Sequence, residues 1–199
     1  MSRMIVNMSL TLDGVMQAPG RPDEDTRGGF THGGWALPYF DPLMFSPPTD
    51  GKVPSMLFGR RTYEDFYTVW PNRTDGNPFT EILNNSQKYV ASTTLQEPLP
   101  WINSTLLMGD VPAAVAALKK QLDNNLVVLG SGELLQSLMR HNLVDEYVLS
   151  IHPLILGTGL RLFPDGSPFA ALKLVDTKIA NTGVVIATYH PTKPTAGKN

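Results

Sequence analysis

A chain of 199 residues with 42% hydrophobic and 17% charged residues has enough apolar surface for one globular domain that buries roughly 70% of its unfolded surface, which excludes a disordered polymer. A formal net charge of −2 gives no basic footprint, so nucleic acid is not an expected partner. With no cysteine there is no disulfide, thiolate nucleophile, iron–sulfur cluster or cysteine-bound zinc; this fits a cytoplasmic protein, and no N-terminal apolar stretch approaches the ~20 residues that span a membrane.

The first predicted element is a strand over Met4–Leu12 (MIVNMSLTL), closed by the turn pair Asp13-Gly14. Residues 15–54 are rich in Gly and Pro (QAPGRPDEDTRGG, then FSPPTDGKVP), the composition of a long functional loop or lid. A short buried strand over Ser55–Phe58 follows, and Thr62 opens a helix because Thr62-Tyr63-Glu64-Asp65 fits a capping box, leaving Arg60 and Arg61 in the turn. After a second loop (PNRTDGNPF), Lys88–Thr94 is a third strand ending in three hydroxyls, and Ser104–Met108 a fourth. Asp110 caps a helix whose Val111, Val115, Leu118 and Leu122 form an apolar stripe.

The run Leu126–Leu129 (LVVL) has the pattern of a strand buried on both faces and passes through Gly130-Ser131-Gly132-Glu133 into the helix LLQSLMRH. Asp145–Leu156 is a long strand closed by Gly157-Thr158-Gly159, and Leu172–Ala180 with Val184–His190 form a hairpin across Asn181-Thr182-Gly183. Strands alternating with helices and ending in a hairpin predict an α/β sheet covered on both faces. No repeat or linker interrupts it, so the expectation is a single domain over 1–191 and a disordered tail at 192–199.

Ligands of open α/β sheets bind beyond the carboxyl ends of strands, near a reversal of strand order. Two junctions there suit phosphate: Gly59-Arg60-Arg61-Thr62 and Gly130-Ser131-Gly132-Glu133, with Leu134 continuing the second helix. Each offers glycine, which lets a backbone approach, and helix-terminal N–H groups, which attract anions; each is also simply a tight β-α turn. Arg60 and Arg61 are either a solvated surface pair or, with Ser92, Thr93 and Thr94, the seat of a 2′-phosphate, where each charge-assisted hydrogen bond is worth roughly 1.5–3 kcal/mol. Asp13 is a carboxylate at the end of the first strand, either a turn former or a group that orients a substrate or relays a proton. Glu133 either points at the ligand or favours the start of its own helix. The four histidines (32, 141, 152 and 190) lack metal-ligand spacing, and there is no nucleophile elbow, Walker motif or GxGxxG fingerprint. An enzyme built this way takes its reactivity from a cofactor.

The motifs MSLTLDG, LFGRRTYEDF, KYVASTTL, LVVLGSGELLQSL, LVDEYVLSIHPLILGTGLRLF and TGVVIATYHP resemble, in that order, the dihydrofolate-reductase-like family that includes the reductase domain of riboflavin biosynthesis, over about residues 3–191. The resemblance implies a three-layer α/β/α fold around a mixed sheet of about eight strands, NADPH as cofactor, a small-molecule substrate and a homodimer. It implies that Gly59, Arg60, Arg61 and Thr62 hold the 2′-phosphate and pyrophosphate, joined by Ser92 and Thr93. The resemblance likewise implies that Gly130, Ser131 and Gly132, with Glu133 and Leu134, lie under the pyrophosphate and nicotinamide, and that Asp13 and Gly14 lie near the nicotinamide and substrate. Two departures matter: the pteridine-binding acid of true dihydrofolate reductases has only Asp41 as a loose counterpart, and the 15–54 loop offers Arg21 and Arg27 but no clear phosphate motif. The leading expectation is an NADPH-dependent reductase. The alternatives are a nucleotide-binding module without turnover, a true dihydrofolate reductase, or an interaction protein using VLSIHPLIL as an exposed edge.

Overall fold

The computed structural model describes residues 2–45, 51–74 and 76–192. Its strands are β1 (Met4–Thr11), β2 (Ser55–Gly59), β3 (Lys88–Ala91), β4 (Ser104–Leu107), β5 (Leu126–Leu129), β6 (Glu146–His152), β7 (Ala171–Ile179) and β8 (Val185–Thr192). The helices are α1 (Arg60–Val69), α2 (Pro78–Asn85), α3 (Val111–Gln121) and α4 (Gly132–Arg140). The eight strands form one sheet in the order β4-β3-β2-β5-β1-β6-β8-β7. It is mixed: β2 pairs parallel with β3 and β5, β3 parallel with β4, while β8 runs antiparallel to both β6 and β7. This is the α/β sheet with a closing hairpin that the sequence predicts. The crossover from β2 to β3 runs opposite to that from β4 to β5, and since parallel crossovers are right-handed, α1 and α2 cover one face and α3 the other.

The chain divides into two compact units, one of Met1–Ile5 with Phe45–Leu143 and one of Val6–Met44 with Val144–Asn199. The sequence shows no linker because one boundary falls inside β1. In the first unit Met56, Phe58 and Val90 alternate along β2 and β3 to meet Tyr63, Leu83 and Trp101. The Trp101 amide donates to the Tyr63 hydroxyl at 3.0 Å and its indole N–H to Asn84 Oδ1 at 2.9 Å, so the buried ring keeps its polar groups paired. Leu126 and Val128 of β5 are fully buried, with Val127 and Leu129 partly so. The Asp110 carboxylate accepts from the Ala113 amide at 3.0 Å and caps α3 as read from sequence.

Lys88 is fully buried, an unusual place for an ammonium group. Its Nζ donates to the carbonyls of Asn84, Ser86 and Ile102 at 3.3, 2.8 and 3.0 Å and lies 4.6 Å from the centre of the Trp101 ring. The ammonium thereby satisfies carbonyls at the end of α2 and in the loop before β4, although desolvation pulls its pKa down to about 8.

Residues 15–45, all but the last of them in the second unit, contain three short 3-10 turns and no longer element, as their Gly and Pro content predicts. They are nevertheless folded on themselves: Val15, Ala18, Phe30 and Trp35 form their own core, and the Trp35 indole N–H donates to the Gln17 carbonyl at 2.7 Å. Part of the expected loop, residues 46–50, lies outside the described residues.

Several boundaries differ from the sequence reading. Thr62 does not open α1; it is the third helical residue behind an N-cap at Gly59. Helix α2 is missing from the sequence reading, which runs a loop through Pro78 and Phe79, although the Asn77 cap, whose side chain accepts from the Phe79 amide, and Pro78 at the first helical position mark its start. Strand β3 stops at Ala91 because the Ser92 hydroxyl captures the next amides. Strand β6 stops at His152, where Pro153 supplies no N–H, and it lies between β1 and β8, so VLSIHPLIL is not an exposed edge. Thr192 belongs to β8, opposite Ala171, and the remaining tail, 193–199, lies outside the described residues.

Replacing Lys88 by Met keeps the bulk and strands the three carbonyls. The expected loss is about 2–4 kcal/mol in urea unfolding; a loss below about 1 kcal/mol would show that the ammonium is dispensable there.

Candidate functional site

Strands β2 and β5 are parallel neighbours in register at Leu57 and Val128, so two residues further on Gly59 and Gly130 leave the sheet side by side. Their connections depart in opposite directions, the reversal of strand order at which α/β sheets bind ligands. Each strand passes directly into a helix, and neither N-cap, Gly59 of α1 nor Ser131 of α4, makes a side-chain capping bond.

Two hydroxyls interlock the junctions. Thr62 Oγ1 accepts from the Ser131 amide at 3.1 Å, and Ser131 Oγ accepts from the Gly59 amide at 2.9 Å while donating to the Leu129 carbonyl at 3.3 Å. To present both groups, Ser131 adopts the left-handed conformation (φ 61°, ψ 48°). Gly130 is also left-handed at φ 59°, and a Cβ there would stand 3.1 Å from Thr62 Cγ2, so glycine is favoured on both counts. The lock uses the amides of Gly59 and Ser131. Neither N-cap residue supplies a side-chain bond, so the first-turn amides of Arg60, Arg61 and Thr62, with those of Gly132 and Leu134, are the helix-terminal donors that the two junctions present.

The first turn of α1 carries Arg60 and Arg61 and no acidic residue, the reverse of what a helix dipole favours. Arg61 Nη1 pairs with Glu133 Oε1 at 3.1 Å, joining α1 to α4, and Arg60 Nη1 pairs with Glu64 Oε2 at 3.1 Å. Glu133 therefore reaches an arginine of the neighbouring junction. Ala91 stands opposite Gly59, so Ser92 and Thr93 follow beside the same turn. The Ser92 hydroxyl accepts from the amides of Thr94 and Leu95 at 3.1 and 3.0 Å and lies 3.4 Å from the Thr94 hydroxyl; Thr93 is exposed.

Asp13 has a different environment. Its carboxylate accepts from the Thr11 hydroxyl at 2.6 Å, the Leu156 amide at 3.2 Å and the Gly157 amide at 2.9 Å, with the Arg161 guanidinium at 3.7 Å. The Thr11 hydroxyl leads the causes that bring its pKa down to about 2, ahead of the Gly157 and Leu156 amides and against some desolvation. At neutral pH it is an anion that braces the 154–161 segment, and it has no proton to donate. Gly14, at φ 80°, completes the turn by donating to the Thr11 carbonyl at 2.9 Å.

Asp41 is buried, and its carboxylate accepts from the amides of Leu43 and Asn181 at 2.9 and 3.2 Å. Arg21 and Arg27 pair with Asp23 and Asp25 nearby in sequence. Among the described residues no cluster of His, Asp and Glu is arranged for a metal. His152 is fully buried; its Nδ1 lies 3.2 and 3.0 Å from the Leu10 and Ser150 carbonyls, its ring meets Trp35 edge-on at 5.0 Å, and burial lowers its pKa. Sequence reasoning passed over Glu64, although its place four residues after Arg60 is a legible pairing signal.

The sheet and its paired junctions define a dihydrofolate-reductase-like α/β protein. The model of the RibD C-terminal domain matches residues 3–188, and the chain belongs to that family. It is 29% identical over 193 residues, 94% of each chain, to the uncharacterized protein YyaP of Bacillus subtilis (strain 168). In fold it is similar to a Shewanella sp. PV-4 protein provisionally assigned to riboflavin biosynthesis, with a TM-score of 0.68 at 20% identity over 97% of this chain and 100% of that one. It is also similar to the dihydrofolate reductase of Enterococcus faecalis solved with NADP(H), with a TM-score of 0.56 at 15% identity over 96% and 97% of the two chains.

The three bonds to Asp13 stabilise the fold only while the carboxylate is ionised. Because its folded pKa lies below the ordinary 3.8, its contribution is complete above about pH 4 and is lost as pH falls toward 2. Asp13→Asn is expected to cost about 2 kcal/mol in urea unfolding at pH 6. The gap from wild type should shrink at acid pH, and a gap independent of pH would refute the assignment.

Proposed function

We propose that this protein is an NADPH-dependent reductase that delivers hydride to a C=N or C=O bond of a small heterocyclic or sugar-derived molecule, similar to 5-amino-6-(5-phosphoribosylamino)uracil reductase of riboflavin biosynthesis. The observation that carries the reading is the pair of uncapped helix starts locked side by side, with two guanidinium groups where the dipole already attracts anions. A dinucleotide diphosphate fits that chemistry. NADPH, when bound, supplies the hydride; the chain supplies binding and orientation.

In this reading the first-turn amides of α1 and α4, with Arg61, hold the pyrophosphate. Gly130 keeps the backbone open, and Arg60, with the hydroxyls of Ser92 and Thr93, takes the 2′-phosphate. Of the roles considered for Asp13, orientation is the one its geometry supports. A carboxylate with a pKa of about 2 acts as a fixed counter-charge and brace, and the substrate takes its proton from elsewhere. That same observation favours a second reading, a nucleotide-binding module without turnover. Asp41, committed to two amides, weighs against a pteridine substrate. A cytoplasmic homodimer accompanies the proposal, and sedimentation at micromolar concentration is expected to give twice the chain mass.

Titration of cofactor fluorescence is expected to give tighter binding of NADPH than of NADH. Arg60→Ala should weaken NADPH about 10- to 100-fold, the equivalent of one charge-assisted hydrogen bond, with little effect on NADH. Absence of binding by either cofactor would end the proposal. Binding without NADPH oxidation across a panel of carbonyl and imine metabolites would select the second reading.

A further inference from the structure

Arg60 is the first residue of α1, where a cation opposes the helix dipole, and the first turn has neither an acidic residue nor a side-chain cap. The carboxylate that meets it comes from the second turn. Glu64 reaches back with Oε2 at 3.1 Å and Oε1 at 3.4 Å from Arg60 Nη1, in the Arg-before-Glu order that is the weaker of the two i,i+4 arrangements. The side chains are 40% and 45% exposed, so the pair is solvated and exchangeable.

We infer that Glu64 is a specificity-determining residue: its carboxylate holds the guanidinium of Arg60 in place of a ligand phosphate, and it sets how strongly the site prefers a 2′-phosphorylated nucleotide over an unphosphorylated one. The inference rests on the reading of Arg60 as the 2′-phosphate seat. Both Glu64 oxygens sit on Nη1, so a phosphate dianion that takes that nitrogen competes with the carboxylate for it. The phosphate, with more charge and more acceptor oxygens, wins, but only after displacing Glu64. An unphosphorylated ribose makes no such demand and leaves the pair intact. Glu64 thereby lowers affinity for NADPH while leaving that for NADH unchanged, and its effect is greatest at low salt.

The test compares Glu64→Gln, which keeps the shape and removes the charge, with wild type and Arg60→Ala. NADPH and NADH are titrated against each, then adenosine 2′,5′-bisphosphate and AMP, which lack the nicotinamide half. An exposed pair of this kind is worth about a two- to fivefold change in affinity, so Glu64→Gln is expected to bind NADPH and the bisphosphate about two- to fivefold tighter, with NADH and AMP unaffected. The gain should fade as salt is raised. Equal tightening of both members of each pair, or no tightening in a variant whose parent binds NADPH through Arg60, would overturn the role of Glu64 and leave the reductase reading standing. If Arg60→Ala binds NADPH as wild type does, the phosphate seat itself is misassigned and the inference falls with it.

Discussion

The exchange of hydrogen bonds among Thr62, Ser131 and Gly59 is the constraint on which the first unit's candidate site depends. Two parallel strands leave the sheet side by side, and each must turn at once into a helix without its neighbour's backbone clashing. The lock solves this by letting each junction bond to the other: a threonine from within α1 holds the amide at the start of α4, and a serine at the start of α4 holds the amide at the start of α1. Ser131 must take a left-handed backbone to do so, at a cost of about 1–3 kcal/mol that its hydrogen bonds, at about 0.5–1.5 kcal/mol each, offset. Glycine at 130 suits the same packing, because a Cβ there would press on Thr62. With the Ser131 hydroxyl engaged across the junction and Gly59 lacking a side chain, neither N-cap residue caps its own helix, so the packing solution also leaves helix-terminal amides suited to an anion.

The charged groups of the protein fall into two kinds. Asp13 and Lys88 are satisfied ions: the carboxylate accepts from a hydroxyl and two amides, and the ammonium donates to three carbonyls, so each is consumed in holding loops to strands. Arg60 and Arg61 are held by exposed carboxylates, at the end of a helix where positive charge is disfavoured. A satisfied ion has little to gain from a ligand, whereas an ion in a solvated pair at an unfavourable position does. This contrast, more than the presence of any one residue type, separates structural from binding charge here.

The sequence was informative wherever a signal is local. Asp110 before an apolar stripe, the run Leu126–Leu129 broken by Gly130, and the hairpin around Asn181-Thr182-Gly183 each fold as their immediate neighbours dictate. Thr62-Tyr63-Glu64-Asp65 misled for a related reason. A capping box describes a helix start in isolation, and the Thr62 hydroxyl is instead claimed by Ser131, 69 residues away. The Gly- and Pro-rich stretch after β1 has the irregular backbone its composition indicates, but the core formed by Phe30 and Trp35 follows no period that would betray it.

What the sequence by itself determined is the succession of the strands, the α/β class and the positions of the glycine turns, because each rests on backbone preferences and periodicities only a few residues long. What the tertiary structure alone decided is the use of the polar groups at those turns. Asp13 became a brace through amides 143 and 144 residues away, and Ser131 a lock on Gly59 at a separation of 72. A hydroxyl or carboxylate binds whichever donor or acceptor the fold brings within about 3 Å, and nothing in its own neighbourhood of the chain specifies which that is.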